Sequence, residues 1–380
     1  MNSEGFFESL NQQFENELPF VAYRKPNTLS VNAILQKDSE LYTTNKFTES
    51  GFVFALFDNK ENAVLIPLEN SNTIICVQDI LSQSEKSHII GALNKNYDEI
   101  PAEVYLERSQ KIGMTESKKH HINLVKKGIE AIRDKQFQKV VLSRQEIVSL
   151  TNNNPISIFK RLLNTYTSTF VYMWYHPKVG LWLGATPETL LKTQGNRFST
   201  MALAGTKIYK GKLDVEWNDK EKQEQQFVTD YIVSNLQSSV IKISKSKTET
   251  IKTGNLLHLQ TIIKGTLNFK LSLSGKALLK SEYFKQVLCT LHPTPAVCGL
   301  PKNKSKEFIL NNENYNREFY TGFLGEINAD NSELYVNLRC MQLKDNKAIL
   351  YVGGGITKDS IPENEWEETL NKAQIIKRVL

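Results

Sequence analysis

The chain is poor in cysteine, and its four cysteines show none of the spacings used by metal or redox motifs. They stand at positions 76, 289, 298 and 340, without a CxxC pair. Because zinc sites and disulfide frameworks are built from patterned cysteines, we expect neither here. The sequence also lacks internal repeats and low-complexity segments, and with 40% hydrophobic and 23% charged residues it has the composition of a globular protein.

Long apolar runs are missing as well. No stretch approaches the eighteen apolar residues that a membrane-spanning helix needs. The amino-terminal segment is acidic and contains no lysine or arginine before Arg24, unlike a secretory signal peptide. We therefore expect a cytoplasmic protein with no membrane partner.

The excess of positive charge is modest, with 47 Lys and Arg against 41 Asp and Glu. These basic residues are spread along the chain, whereas a nucleic-acid interface would concentrate them on one face. Nucleic acid is therefore not an expected partner. A net charge of +6 does suit an anionic small substrate, which a basic cleft attracts.

Short apolar runs rich in β-branched residues predict strands joined by polar turns. Four of these runs lie at 52–57, 63–68, 72–77 and 139–148. Such strands indicate an antiparallel sheet with helices packed outside, an α/β (α+β) fold. We assign residues 1–112 to an amino-terminal part of this fold and residues 113–380 to the catalytic region.

Helical spacing of apolar residues predicts several helices in that second region. One begins at Thr115 or Ser117, and a short one has Thr186 as its N-cap and Pro187 as its first residue. The others are predicted at 155–166, at 221–240 and near 275–290.

Two Glu-x-x-Glu pairs lie in predicted helices. Glu221 and Glu224 form one pair, and Glu365 and Glu368 form the other. Residues three apart share a helix face, so two such helices facing each other could hold a hard divalent cation. Exposed helix faces are also rich in glutamate, so each pair by itself is weak evidence.

Lys139 and Glu188 are candidates for proton transfer. Lys139 begins an apolar strand, where burial would lower its pKa towards that of a base, although a strand-end lysine can also extend into water. Glu188 would be the second residue of the short helix, where the helix dipole lowers a carboxyl pKa. A general acid needs that pKa raised, so burial would have to outweigh the dipole.

Three further features of the sequence are compatible with either function or structure. Gly353, Gly354 and Gly355 follow a strand and either bind an anion through their N–H groups or make a tight turn. Arg339 lies in an alternating strand, where its partner is either a substrate carboxylate or an internal one. His292 precedes a proline-stiffened loop and is either structural or catalytic.

Nine motifs occur in the order, and at about the intervals, found in one family. They are KVVLSR, GATPE, ALAGT, KEKQEQ, LHPTPAVCG, REFYTG, LRC, VGGGI and EWEET–K. The chain resembles the chorismate-utilising enzymes, specifically their isochorismate synthase branch, over about residues 115–380. The resemblance implies two large packed antiparallel sheets with helices outside and a cleft that binds chorismate and Mg²⁺.

The resemblance also implies roles for individual residues. Lys139 would be the base that activates water, and Glu188 the acid that protonates the departing C4 hydroxyl. Glu224 and Glu368 would bind Mg²⁺, with Glu221 and Glu365 nearby. The substrate-binding residues would be Tyr320, Arg339 and glycines 353–355 at the pyruvyl carboxylate, Lys372 near the metal-bound end, Gly205 and Thr206 along the ring, and His292 beside the reacting face.

Two positions separate the branches of the family. Aminodeoxychorismate synthases have a lysine where this chain has Ala204, and ammonia-using members usually have glutamine at the position of Lys139. Since a base is needed to activate water, the pair Lys139 and Ala204 favours water as nucleophile and no glutaminase partner. We therefore expect an isochorismate synthase, either monomeric or weakly homo-oligomeric.

Three questions stay open at this point. A salicylate synthase would form isochorismate and then eliminate pyruvate in the same pocket. A non-catalytic protein could bind metal or carboxylates with the same residues. The pathway served could be that of menaquinone, a siderophore or salicylate.

Overall fold

The structure is a computed structural model that describes residues 1–58, 60–77, 108–151, 154–254, 256–268, 280–328 and 330–380. The strand pairs are antiparallel, as the short turns predict, and they form two large sheets. The fold prediction is thereby confirmed.

The first sheet has nine strands in the order β15-β7-β19-β18-β9-β8-β1-β2-β6. In chain order these strands are β1 (Phe20–Arg24), β2 (Ser30–Gln36), β6 (Ser71–Val77), β7 (Lys139–Ser149), β8 (Phe170–His176), β9 (Gly180–Thr186), β15 (Gly299–Leu300), β18 (Cys340–Lys344) and β19 (Lys347–Ile356).

The second sheet has the order β12-β14-β11-β10-β17-β16-β4-β5-β3, with β13 pairing against β14. Its strands are β3 (Tyr42–Thr44), β4 (Gly51–Ala55), β5 (Ala63–Pro67), β10 (Thr189–Gln194), β11 (Arg197–Ile208), β12 (Val240–Lys245), β13 (Glu249–Thr253), β14 (Leu256–Leu267), β16 (Phe323–Ile327) and β17 (Asn331–Val336).

The described residues form seven α-helices outside the sheets. They are α1 (Ser3–Glu15), α2 (Arg108–Arg133), α3 (Pro155–Thr165), α4 (Asp219–Leu236), α5 (Lys280–Leu291), α6 (Lys302–Asn312) and α7 (Pro362–Lys377). Helix α3 illustrates how the sequence sets a boundary, because the Asn154 side chain accepts the Ser157 N–H and Pro155 supplies the first turn.

Strand β8 shows why the sheets are layered. Its alternate residues Phe170, Tyr172 and Trp174 belong to an aromatic layer between the two sheets. Val171 and Met173 point the other way, into a core that α1, α3 and α7 cover. A strand buried on both faces needs apolar residues at every position, which explains the unbroken run FVYMW.

Several sequence-based boundaries are wrong. The short helix predicted after Thr186 is strand β10, whose apolar residues Leu190 and Leu191 are buried in the second sheet. Helix α2 begins at Arg108, well before the predicted Thr115 or Ser117. The helix predicted near 275–290 is present from Lys280, and its predicted first residues lie outside the described part of the chain.

The alternating strand predicted around Arg339, in the run ELYVNLRCMQL, is not a single strand. It divides into β17 in the second sheet and β18 in the first, and Arg339 lies between them with a φ of 48°. Conversely, the glycines 353–355 do not form a turn, because they lie within β19.

None of the helices in the described ranges is both long enough and apolar enough to cross a bilayer.

Candidate active site

The candidate site is a cavity of about 110 Å³ beside two points where the chain passes from one sheet to the other. Glu188 lies in the passage from β9 to β10, and Arg339 lies in the passage from β17 to β18. These passages are neighbours, because β9 pairs with β18 and β10 pairs with β17. The topology therefore brings together a carboxyl group and a guanidinium group that are distant in sequence.

Eleven of the predicted site residues line this cavity. They are Lys139, Glu188, Gly205, Thr206, Glu224, Tyr320, Arg339, Gly353, Gly355, Glu368 and Lys372, and the lining also includes Ala204, His258, Tyr351 and Val297. Four predicted residues are not part of the lining, namely Glu221, His292, Gly354 and Glu365.

Lys139 is the first residue of β7 and is buried, so its side chain does not reach water as a strand-end lysine could. Burial lowers the pKa of Lys139 below its ordinary value, and the negative charges of Glu224 and Glu188 oppose that shift. A lysine with a lowered pKa can lose its proton and serve as a base.

Glu188 is also buried, and the absence of a helix removes the dipole that would have favoured its charged form. Burial raises the pKa of Glu188 to about 8, against the opposing positive charges of Lys139 and Arg339. Near neutral pH the carboxyl therefore holds a proton that it can donate. Lys139 and Glu188 have pKa values displaced in opposite directions within one cavity, the arrangement expected of a base and an acid.

The glycines of β19 give the charged side chains room to approach the strand. A Cβ on Gly355 would lie 2.6 Å from Glu224 Oε1 and 3.0 Å from Lys139 Cε. A Cβ on Gly354 would lie 3.3 Å from Glu365 Oε2. These glycines are needed for close approach and not for backbone bending.

Helices α4 and α7 bring the two Glu-x-x-Glu pairs to the same end of β19. Burial raises the pKa of Glu224, and the charges of Glu368 and Glu365 raise it further. Burial would also raise the pKa of Glu368, but Lys372 and Lys220 lower it below its ordinary value. Lys372 Nζ lies 2.7 Å from Glu368 Oε1 and donates to Gly353 O at 2.8 Å.

These carboxylates suit a hard cation in their chemistry. Among the described residues, Glu221 Oε2 and Glu224 Oε1 are buried without a hydrogen-bond partner, so each has a lone pair to offer. They do not form a complete set of protein ligands, since no three Asp, Glu, His or Cys side chains in the described segments converge as metal ligands. A few carboxylates combined with substrate oxygen and water are what Mg²⁺ prefers.

Arg339 is held by a histidine that the sequence did not point to. Its Nη2 contacts His258 Nε2 at 2.5 Å and Thr253 Oγ1 at 3.0 Å. The other ring nitrogen, Nδ1, is 2.7 Å from Gly205 O, so it donates and leaves Nε2 to accept from the arginine. Burial and the Arg339 charge hold the pKa of His258 far below its ordinary value, which keeps the ring neutral.

Gly205 belongs to a bulge in β11, where the register against β14 shifts between Ala204 and Lys207. Its φ of +73° is in the left-handed region that glycine adopts readily. The bulge turns the backbone of Gly205 and Thr206 towards the cavity.

His292 lies outside the cavity lining. Its buried ring packs edge-on against Phe323 with centroids 5.0 Å apart, and burial lowers its pKa to about 3. From the same loop, Ala296 and Val297 line the cavity instead. The sequence analysis missed His258 and Tyr351, which lie in stretches of β14 and β19 where every residue is buried. Only the sheet arrangement shows that these two side chains border a cavity.

Comparisons with known proteins find a matching family model and several relatives. A family model described as chorismate binding enzyme matches residues 42–380. Isochorismate synthase EntC of Escherichia coli is 32% identical over 248 residues, which cover 62% of this chain and 60% of EntC. Isochorismate synthase DhbC of Bacillus subtilis is 30% identical over 278 residues, covering 68% of this chain and 67% of DhbC. The chain thus matches about three fifths of the length of EntC.

A solved structure extends the likeness to almost the whole fold. The menaquinone-specific isochorismate synthase MenF of Escherichia coli superposes with a TM-score of 0.71 over 95% of this chain and 88% of its own. Sequence identity in that superposition is 21%, so the match shows a shared fold.

Replacing Gly355 by alanine tests the need for space in β19. The added methyl would overlap Glu224 Oε1 and press on Lys139, so we expect chorismate binding to weaken by about tenfold or more. Isothermal titration calorimetry measures this change. Gly195→Ala is the control, because its φ of +60° strains the backbone while nothing lies within 4 Å. It should lower stability and leave binding unchanged, and equal effects of the two variants on binding would contradict the role of Gly355.

Proposed function

The chain belongs to the chorismate-binding enzyme family, and from this we propose that it is an isochorismate synthase that converts chorismate to isochorismate with Mg²⁺. The observation that carries the proposal is the pair Lys139 and Glu188, buried in one cavity with pKa values displaced in opposite directions. The likeness to EntC and DhbC supports the choice of reaction.

Lys139 and Glu188 divide the proton transfers between them. Neutral Lys139 takes a proton from water as the water oxygen bonds to C2 of chorismate. The ring double bonds shift, the C4–O bond breaks, and Glu188 protonates the departing hydroxyl. Because each group enters the step in the protonation state that burial favours, no prior proton exchange with solvent is needed.

The remaining cavity residues orient the substrate. The guanidinium of Arg339, held by His258 and Thr253, suits the pyruvyl carboxylate. Glu224 and Glu368, with Glu221 and Glu365 nearby, would hold Mg²⁺. The ion would supply positive charge for the ring carboxylate. Since water is the nucleophile, no glutaminase partner is required.

Product analysis tests the proposed reaction. Purified protein incubated with chorismate and Mg²⁺ should form isochorismate, with salicylate and pyruvate absent. High-performance liquid chromatography separates isochorismate and salicylate, and lactate dehydrogenase coupling detects pyruvate. Stoichiometric pyruvate and salicylate would identify a salicylate synthase, and unchanged chorismate would support a binding protein.

Removing either proton-transfer group should stop turnover and preserve binding. We expect Lys139→Ala and Glu188→Gln to lower kcat by about 10²–10⁴-fold, the range typical of a lost general acid or base. Chorismate affinity with Mg²⁺, measured by calorimetry, should stay nearly unchanged. Lys347→Ala is a matched control, because Lys347 also begins a strand but is exposed. Activity like that of the wild type in either site variant would defeat the assigned role.

The pH dependence of kcat/KM follows from the same two groups. Glu188 acts only while protonated, so kcat/KM should fall by about tenfold per unit above pH 8, where its carboxyl ionises. Lys139 acts only while neutral, so the rate should rise with pH as its lowered pKa is passed. Steady-state kinetics at saturating Mg²⁺ measure both limbs. A profile that stays level to pH 10 would contradict the role of Glu188.

A further inference from the structure

Lys220 is an unassigned cation within the carboxylate cluster. It lies in the first turn of α4, and its Nζ forms an ion pair with Glu365 Oε1 of α7 at 2.5 Å. This contact joins the two helices that carry the Glu-x-x-Glu pairs. Lys220 does not line the substrate cavity.

The charges of three carboxylates raise the pKa of Lys220. Burial alone would lower its pKa, but the charges of Glu365, Glu224 and Glu368 together hold the pKa of Lys220 above its ordinary value. A single ammonium group thus offsets negative charge from both helices. The cluster would otherwise place four carboxylates close together with too little compensating charge.

The exposure of the two partners is very unequal. The Glu365 side chain is 2% exposed, whereas that of Lys220 is 26% exposed. The glutamate is therefore fixed in the interior, but the flexible lysine side chain can move its ammonium into water. Lys372 differs, because it is tied both to Glu368 and to the backbone carbonyl of Gly353.

We propose that Lys220 serves as a stand-in cation, which neutralises Glu365 in the metal-free protein and moves into solvent when Mg²⁺ binds. This inference rests on the metal site of the proposed function. It makes Lys220 a positioning residue that keeps α4 and α7 together before the metal arrives. The ammonium also competes with the metal for the same carboxylates.

Two opposite effects follow for Lys220→Gln. Without the ammonium group, metal-free protein keeps a buried, uncompensated Glu365, so its Tm in EDTA should fall by about 1–3 °C. With the competitor gone, Mg²⁺ alone should bind about three- to fivefold more tightly. A residue with a purely structural role would weaken metal binding when it is removed.

The test uses the 380-residue chain at pH 8. Differential scanning calorimetry in EDTA gives the metal-free Tm, and isothermal titration with MgCl₂ alone gives the Kd. Lys220→Arg keeps the charge and should behave as the wild type does. Lys222→Gln is the matched control, since Lys222 is an exposed lysine on the same helix, and it should change neither Tm nor Kd.

The outcomes separate this inference from the proposed metal site. If Mg²⁺ binds the wild type and Lys220→Gln has an equal or weaker affinity, the stand-in role is overturned and the metal site stands. An unchanged metal-free Tm of that variant also overturns the role. If the wild type binds no Mg²⁺, both the metal site and the inference fail.

Discussion

Burial of opposite charges in one cavity is the constraint on which the rest of the structure depends. Lys139, Glu188 and Glu224 are each nearly inaccessible to water, so none of them can be charged without a partner or a displaced pKa. Burial pushes Lys139 towards its neutral form and Glu188 towards its protonated form. In the proposed function, the same desolvation that is costly for folding would prepare a base and an acid for proton transfer.

Two of the polar residues of the cavity lie where the chain passes from one sheet to the other. At the passages from β9 to β10 and from β17 to β18, the backbone leaves regular pairing and Glu188 and Arg339 turn towards the cavity. The aromatic layer between the sheets fixes the distance between these passages, with Phe170 and Tyr335 stacked at 4.1 Å from the two sides. Rigid strands therefore hold the polar groups, which limits the entropy lost when a substrate binds.

In the cluster of Glu221, Glu224, Glu365 and Glu368, nearby lysines compensate the negative charge. Glycines in β19 allow the glutamates of α4 and α7 to lie close to the strand. Lysines supply the compensating charge. Lys372 contacts both Glu368 and the Gly353 carbonyl, and Lys220 contacts Glu365. Among the described residues, Glu221 Oε2 and Glu224 Oε1 have no hydrogen-bond partner, and the proposed Mg²⁺ would supply further positive charge there.

The sequence by itself determined much about this protein. Strand and helix periodicity predicted most elements, and the motifs predicted the family and eleven of the residues that line the cavity. Local spacing and residue chemistry are properties of the chain. Other features were decided only by tertiary structure. The segment after Thr186 is a strand because burial of Leu190 and Leu191 in a sheet outweighs its helix-start signals. Arg339 lies between sheets, His258 supports it, and Lys220 meets Glu365 across 145 positions. Contacts between such distant residues depend on how the sheets and helices pack, which no local pattern encodes.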